Sequence, residues 1–279
     1  MKRIIQLSIV PVVVLLFTGC KKDTTTATTF NNAACKPVTE STALSGNNAT
    51  YEYVYGNDCK ITVIKKFIGG AYHVLQDSVL VGDNTTVNYH NLNYPPGSTI
   101  ITTVYNGSIF NGMPTQAHIS ITERGITQTD VYTYFFFYDN KNRLNKVGEQ
   151  TDHIIGDNEY DLSIAYNDKD NVTALSYEFT TGPRGVTTIP ASGYDDKPTP
   201  FAGIKNWPFL MHAAWDNYDP EPLFTALSKN NTSGYIVGGF TRTMLYTYND
   251  KGFPLKRINT NTNASGSSTF EETYSYQCQ

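Results

Sequence analysis

The segment Tyr138-Asp139-Asn140-Lys141-Asn142-Arg143-Leu144 decides the fold that this sequence predicts. Its tyrosine ends a run of alternating residues, and an acidic residue and several polar turn formers follow. Asp or Asn directly after the tyrosine can accept a hydrogen bond from the backbone two residues further on, which is typical of a type I turn. Asn142 tolerates positive φ, as the bulge of a short hairpin requires. The segment therefore predicts two antiparallel strands joined by a tight turn.

The same unit recurs along the chain. In the copies that begin at Tyr55, Tyr138 and Tyr166, one aliphatic residue lies six positions after the tyrosine and another lies nine positions after it. In the copy that begins at Tyr248, Pro254 adds one residue to this spacing. Asp170 and Gly252 stand where Asn142 stands, so they are expected to take positive φ, and Cys59 departs from the pattern. The further copies begin at Tyr55, Tyr166 and Tyr248.

The residues between these turns alternate with a period of two, which predicts half-buried strands. Joined to their sequence neighbours, the strands form an all-β, mostly antiparallel meander. We expect one long twisted or curled sheet of repeated hairpins. The alternation is lost in residues 201–229, where a small helical insert is predicted. A helix at 207–215 with Pro208 in its first turn and a second helix at 220–228 would pack on the sheet.

The first residues carry an export signal. A basic start at Lys2-Arg3 precedes the apolar run 4–17, which leads to Gly19 and Cys20. This is a lipobox, at which the bacterial lipoprotein pathway acylates the cysteine, with palmitate-type chains, and cleaves before it. The run is shorter than the roughly 20 apolar residues of a transmembrane helix. The sequence therefore predicts a signal peptide at 1–19 and a lipid-anchored protein of the outer membrane, on its periplasmic or cell-surface face.

The mature chain is predicted to have two parts. Residues 20–50 comprise the lipidated cysteine and a polar stretch that reads as a flexible tether. Residues 51–279 form a single β-repeat domain that includes the insert 201–229. Lys21-Lys22-Asp23 either resembles the short charged signal that sends lipoproteins of the Bacteroides group to the outer face of the outer membrane, or begins a solvated linker.

Charge and composition restrict the partners. Cleavage before Cys20 removes Lys2 and Arg3, which leaves 19 basic and 25 acidic residues and a net charge of −6. Nucleic acid is not an expected partner, because binding its phosphates needs clustered Lys and Arg. The 20 tyrosines and the low charged fraction of 16% are typical of a sheet protein with polar turns.

Three cysteines remain beside the lipidated one, in a compartment that permits disulfides. Cys35 and Cys278 flank the domain and could tie its ends. Cys35 and Cys59 would close a shorter loop instead. A third alternative is that all three are reduced and partly buried.

The sequence contains no Gly-x-Ser-x-Gly, His-Glu-x-x-His, Cys-x-x-Cys or glycine-rich phosphate motif, so no catalytic residue, cofactor or metal ligand is predicted. The histidines show no ligand spacing. They are His73, His90, His118, His153 and His212.

Several aromatic and polar residues are candidate sites. Trp207 and Trp215 would share one helix face, where they either pack on the sheet or, with Tyr218, stack on sugar rings. The Asp77-Ser78-Val79 segment resembles the bacterial O-glycosylation sequon and makes Ser78 a candidate acceptor.

Two acidic pairs have alternative interpretations. Asp195 and Asp196 could act as acid and base on a glycoside, or they could cap a bend that resembles the other turns. Glu271 and Glu272 are interpreted as the exposed edge of the final strand, where charges discourage edge pairing.

The tyrosine and acid or amide repeats resemble the tyrosine-aspartate repeats of Rhs-type proteins. Together with segments 194–201 and 227–231, they give the chain a resemblance to a family of Bacteroidetes outer-membrane lipoproteins of unknown function. The resemblance implies a β-hairpin fold and an envelope location, and it implies no reaction.

Two functions follow as hypotheses. The first is a non-enzymatic, lipid-anchored envelope protein that binds a glycan, a peptide or an envelope protein, or serves as a scaffold. The second is a surface polysaccharide hydrolase that uses Asp195, Asp196 and Glu221. The hydrolase requires two of these carboxylates to face each other in one open cleft.

Overall fold

The chain forms a closed antiparallel β-barrel in a computed structural model. The structure describes residues 35–44, 47–56, 60–81, 83–91, 100–109, 112–123, 125–151, 160–179, 185–204, 206–210 and 220–278. The predicted signal peptide, the lipidated Cys20 and the tether up to residue 34 lie outside these residues.

Within the described residues, sixteen strands form the barrel wall and two short helices connect β12 to β13. The strands are β1 (Cys35–Leu44), β2 (Asn47–Tyr55), β3 (Ile61–Ile68), β4 (Ala71–Val81), β5 (Asn84–Asn91), β6 (Ile100–Asn106), β7 (Gln116–Glu123), β8 (Ile126–Tyr138), β9 (Leu144–Thr151), β10 (Tyr160–Tyr166), β11 (Val172–Phe179), β12 (Val186–Pro198), β13 (Asn230–Val237), β14 (Phe240–Tyr248), β15 (Pro254–Asn263) and β16 (Gly266–Cys278). The helices are α1 (Trp207–Leu210) and α2 (Pro220–Leu227).

The sheet closes on itself because β1 pairs with β16, from Cys35 opposite Cys278 to Ala43 opposite Glu271. The prediction of a long twisted or curled sheet is therefore wrong. Hairpin turns are the same in an open and a closed meander, and only the pairing of the first strand with the last distinguishes them. The interpretation of Glu271 and Glu272 as a strand edge is wrong for the same reason, because β16 is paired on both sides.

The barrel begins at Cys35, within the segment predicted as a tether. β1 contains few large apolar residues because its inward side chains, such as Glu40 and Thr42, line a polar part of the barrel interior. A strand of this composition looks like a linker when it is considered alone.

The tyrosine-led turns have the predicted geometry. Asn142, Asp170 and Gly252 have φ of 60°, 62° and 83°, which confirms the predicted left-handed positions. Asp139 Oδ1 accepts hydrogen bonds from the backbone N–H groups of Lys141 and Arg143, both at 2.9 Å. The same bonds recur at Asn167 and Asn249, and each of these turns carries a register shift. Cys59 lies outside the described residues.

These turns all lie at one end of the barrel, because in a meander the loops after even-numbered strands share an end; we call it the tyrosine end. There, tyrosine hydroxyls tie each turn to the preceding one. Tyr166 Oη donates to the Leu144 carbonyl at 2.8 Å, and Tyr138 Oη donates to the Pro114 carbonyl at 2.6 Å. Such bonds contribute about 1 kcal/mol each. The repeated tyrosine thus fastens neighbouring hairpins together.

The two faces of the wall differ in polarity, as β16 shows. Its inward residues Phe270, Glu272 and Tyr274 alternate with exposed Thr269, Glu271, Thr273 and Ser275. Outward-facing side chains on neighbouring strands form polar pairs, including the ion pairs Lys256–Glu271 at 2.6 Å, Lys146–Asp161 at 2.7 Å and Lys65–Glu52 at 3.9 Å.

The insert between β12 and β13 folds from the tyrosine end into the barrel interior. Distant strands hold it there: Tyr105 Oη on β6 donates to the Phe209 carbonyl at 2.6 Å, and Gln76 Nε2 on β4 donates to the Leu210 carbonyl at 2.8 Å. Phe209 packs edge-on against Tyr105 and Phe136. The two helices therefore form an internal plug. None of the described helices is long and apolar enough to cross a membrane.

Candidate functional site

A cavity of about 750 Å³ lies inside the barrel, between the plug and one part of the wall. Its lining comes from strands β1 to β6, strands β14 to β16 and the plug. We call this part of the wall the open half. The remaining strands, β7 to β13, form the filled half, where inward side chains pack against the plug. The principal buried residues of the filled half are Ile119, Tyr134, Phe136, Leu162, Leu175, Tyr177 and Tyr235.

One side of the cavity is apolar. Ile64, Val74, Val87 and Ile101 project from β3 to β6, and Trp207 faces them from the plug. Trp207 stacks on Phe201 with ring centroids 3.6 Å apart, and its indole Nε1 is buried with no hydrogen-bond partner among the described residues. This side can therefore contact an apolar or ring-shaped group.

The other side of the cavity carries a network of two arginines and two glutamates. Glu221, in the first turn of α2, accepts Arg257 on one carboxylate oxygen and Arg242 on the other. Arg257 also pairs with Glu272, which lies directly opposite it in the β15–β16 register. Asn261 Oδ1 accepts a further bond from Arg242 Nε at 2.8 Å. The network joins the plug to the wall, and its four charges compensate one another.

Arg257 is nearly inaccessible to solvent. Burial acts to lower the pKa of Arg257, but the carboxylates of Glu221 and Glu272 raise it well above its ordinary value. Arg257 therefore stays positively charged at every relevant pH. It forms ion pairs with Glu221 and Glu272, so both carboxylates have a buried counter-charge.

Glu40 on β1 is a third carboxylate that faces the cavity. Its Oε2 accepts a hydrogen bond from Tyr53 Oη at 2.6 Å, and no cationic side chain of the described residues forms an ion pair with it. Burial, followed by repulsion from Glu272, raises the pKa of Glu40 to about 7, although Tyr53 and Arg257 act in the opposite direction. Glu40 therefore changes its charge near neutral pH.

Lys66 on β3 is a cation at the same cavity. Its Nζ lies 5.3 Å from the ring centroid of Tyr51, and the ammonium makes no ion pair within the part of the chain that the structure describes. Tyr51 on β2 separates Lys66 from Glu40. It lies opposite Glu40 in the pairing of β1 with β2 and opposite Lys66 in the pairing of β2 with β3.

The carboxylates proposed for a hydrolase are not brought together. Asp195 Oδ1 accepts the Lys197 backbone N–H at 2.8 Å, as the bend-capping alternative requires, and Asp195 lines a separate, more open depression of about 500 Å³ at the tyrosine end. The side chain of Asp196 is 85% exposed and pairs with Lys197 at 3.3 Å. Glu221 lies inside the barrel with its arginines. No open cleft contains two of these three groups.

The other predicted site residues have separate positions. Trp207 both packs in the core and lines the cavity, so its two alternatives are not exclusive. Trp215 and Tyr218 lie outside the described residues, so their stacking role stays a prediction. Ser78 lies on β4 with its Oγ buried, and its glycosylation also stays a prediction.

The barrel seam bears on the cysteines. The register places Cys35 opposite Cys278 on neighbouring strands, which is the arrangement that a disulfide across the seam requires. The disulfide itself stays a prediction, as does the alternative with Cys59. Within the described ranges, no group of three or more His, Cys, Asp or Glu side chains could hold a metal ion.

Sequence reasoning missed Glu40, Lys66, Arg242 and Arg257 and misplaced Glu272. Arg242 and Glu272 stand at inward positions of strands whose other inward residues are tyrosine, phenylalanine or methionine. For these two, a charged residue in phase with aromatic residues was the available signal, because on a period of two they share the buried face. Glu40, Lys66 and Arg257 have threonine, isoleucine and asparagine as inward neighbours, so their strands gave no such signal.

Comparisons with known proteins support the fold. No protein-family model matches the chain, and no curated protein matches it significantly. Among solved structures, the chain is similar to a porin-like protein from Bacteroides uniformis ATCC 8492, with a TM-score of 0.56, 16% identity and coverage of 86% of this chain and 96% of that chain. At this identity the likeness shows a shared fold. The organism is consistent with the Bacteroidetes resemblance, and membership of a lipoprotein family stays a prediction.

Proposed function

We propose that the protein is a lipid-anchored component of the bacterial outer membrane whose barrel stands in water and binds a small ligand in its internal cavity. The observation that carries this proposal is the cavity of about 750 Å³ with one apolar and one charged side. Ligand sites in proteins usually measure about 300–1,000 Å³ and combine an apolar lining with a few polar groups.

The outward face of the wall favours water over lipid. Barrels that cross a membrane carry an apolar outer band about 25 Å tall, and a Lys or Arg at its centre costs about 2–4 kcal/mol. Here the outer face carries ion pairs such as Lys65–Glu52, and even the exposed Leu245 is flanked on its face by Thr243 and Thr247. The predicted lipid on Cys20 would then supply the attachment. The porin-like description of the structural neighbour supports an outer-membrane location.

The interior favours binding over transport and over hydrolysis. The plug is fixed to strands on several sides of the barrel, so it occupies the interior through which a transported solute would have to pass. Glu221 and Glu272 are occupied by Arg257, and within the described part of the chain no second carboxylate free of an ion pair lies beside Glu40 for acid and base work. A non-enzymatic binding module therefore accounts for the geometry better than a polysaccharide hydrolase.

A solubility experiment tests the location. Exported with a cleavable, non-lipid signal in place of residues 1–20, the protein should fold and stay in the soluble fraction without detergent, whereas the native chain should remain with the membrane. A soluble barrel with native circular dichroism supports the proposal. A barrel that aggregates without detergent and is recovered folded only in micelles overturns it.

A ligand screen tests the cavity. Envelope extracts and libraries of sugars, peptides and lipids should contain a compound that raises the melting temperature of the wild-type protein. Thr42→Trp, which fills the cavity from β1, should abolish that shift. Ser41→Trp on the outward face of the same strand is the matched control and should retain it. Equal shifts in both variants would place the ligand elsewhere.

A further inference from the structure

We propose that the cavity binds a zwitterionic ligand, a short peptide with free termini, whose amino group faces Glu40 and whose carboxylate faces Lys66. This inference rests on the proposed function and specifies its ligand.

The charges at the cavity leave one glutamate and one lysine without a compensating partner. Arg242 and Arg257 are balanced by Glu221 and Glu272 through direct ion pairs. Glu40 has a tyrosine hydroxyl as its hydrogen-bond partner, and Lys66 has an aromatic ring. A partly buried charge without a counter-charge is costly, so a ligand that brings an ammonium to Glu40 and a carboxylate to Lys66 compensates both.

The register sets the spacing of the two strand positions that carry the charges. Glu40, Tyr51 and Lys66 lie side by side on β1, β2 and β3, and neighbouring strands are about 4.8 Å apart, so the backbones of Glu40 and Lys66 are separated by about 10 Å. An extended chain spans about 3.3–3.6 Å per residue, so a tripeptide covers about 10 Å between its termini. The spacing therefore fits a peptide of two to four residues that lies across Tyr51.

The remaining lining matches the other parts of a peptide. Ile101 and Val87 offer apolar contact to its side chains. Trp207 adds a further apolar contact from the plug.

A neutral oligosaccharide is the main competing ligand. Its rings could stack on the aromatic residues, and its hydroxyls could bond to Glu40 or Lys66. It would leave both charges uncompensated, however, so the structure favours the peptide.

The experiment uses one library of tripeptides in three forms: free, N-acetylated and C-amidated. Binding to the mature, folded barrel is read by native mass spectrometry, and the strongest free peptide is titrated by calorimetry. The free form should bind at least tenfold more tightly than either blocked form. A trisaccharide library serves as the neutral comparison and should bind more weakly than the free peptides.

Single substitutions assign each terminus to its residue. Lys66→Met should weaken the free peptide to the level of the amidated one, and Glu40→Gln should weaken it to the level of the acetylated one. Lys65→Met on the outward face of β3 and Glu52→Gln on the outward face of the neighbouring β2 are the matched controls and should leave affinity unchanged. Melting curves check that every variant is folded.

Each result separates the two proposals. If blocked and free peptides bind equally, or if only trisaccharides bind, the zwitterion proposal is overturned while the cavity remains a binding site. If Lys65→Met weakens binding as much as Lys66→Met, the ligand lies outside the barrel and both proposals fail. If no compound in any library shifts the wild-type protein, the proposed function itself fails.

Discussion

The two halves of the barrel share one architecture and differ in what fills them. In the filled half, strands β7 to β13 direct aromatic and aliphatic side chains into the plug, as when Phe224 stacks on Tyr235 with ring centroids 5.7 Å apart. In the open half, the same plug contacts aromatic residues such as Tyr53 and Tyr105. It also meets the wall through ions there, as when Glu221 pairs with Arg257. Burial of apolar area therefore stabilises both halves, and the open half adds charges that must be compensated.

The comparison shows how one plug can serve both stability and binding. Apolar packing on one side fixes the position of the helices without directional bonds. The ion network on the other side then holds the cavity at a defined width, because α2 cannot move without separating Glu221 from Arg242 and Arg257.

The largest expected effect is that of Glu221→Gln. The substitution keeps the shape of the side chain but removes the carboxylate that pairs with both Arg242 and Arg257. The free energy of unfolding should therefore fall by about 3–5 kcal/mol. Chemical denaturation measures it. Glu271→Gln is the control, because that outward carboxylate pairs with Lys256 in a half-exposed position and should cost under about 1 kcal/mol. Equal costs for the two substitutions would refute the role given to the network.

A matched pair of core substitutions compares the halves directly. Ile164 in the filled half and Ile64 in the open half have similar exposures of 5% and 8%, but only Ile64 lines the cavity. Ile164→Ala should cost about 3–4 kcal/mol, because it opens a new void in close-packed surroundings. Ile64→Ala should cost about 1–2 kcal/mol, because it enlarges an existing space. Denaturation curves that give the reverse order would show that the open half is packed as tightly as the other.

Local features of the fold were predictable from sequence. The turn at Asp139 and the positive φ of Asn142 and Asp170 follow from residue types that are adjacent in the chain. Closure of the barrel was not predictable, because the pairing of β1 with β16 joins segments at opposite ends of the sequence. β1 also lacks the apolar alternation that marks the other strands, since it faces the charged side of the cavity.

The candidate site was less predictable than the fold. Trp207 was singled out, and it lines the cavity. The ion network was missed because Arg257 and Glu272 read as ordinary hairpin residues until the register places them opposite each other on the inner face. Asp195 and Asp196 attracted interest because they are adjacent in sequence, and the structure separates their side chains.

A pH experiment tests the charged side of the open half. Glu40 has an ordinary pKa of 4.5 and a pKa of about 7 in the folded protein, so the folded state binds its proton more tightly. The stability that this proton contributes is complete below pH 4.5 and is lost as the pH rises through 7. Between pH 5 and pH 8 the unliganded wild-type protein should lose about 2 kcal/mol more than Glu40→Gln.

The control for this titration must account for the other ionisable groups that face Glu40. These are Tyr53, Glu221, Arg257, Glu272, Tyr274 and Tyr276. All are present in both proteins, and Glu40 and Glu272 repel each other, so the difference between wild type and Glu40→Gln reports the titration of this carboxyl pair. Parallel stability profiles for the two proteins would contradict the raised pKa of Glu40.

The smallest expected effect distinguishes a structural tyrosine from a cavity tyrosine. Tyr166→Phe removes the hydroxyl that donates to the Leu144 carbonyl but keeps the ring that Arg143 covers at 4.3 Å. It should therefore cost about 1 kcal/mol, the usual contribution of one such hydrogen bond. Tyr51→Phe should cost close to nothing, because the described residues offer its hydroxyl no partner and the ring that faces Lys66 remains. If Tyr51→Phe lowered the stability more than Tyr166→Phe, the hydroxyl of the cavity tyrosine would be the stabilising one. The hydroxyl of the repeated tyrosine would then not be the group that joins one hairpin to the next.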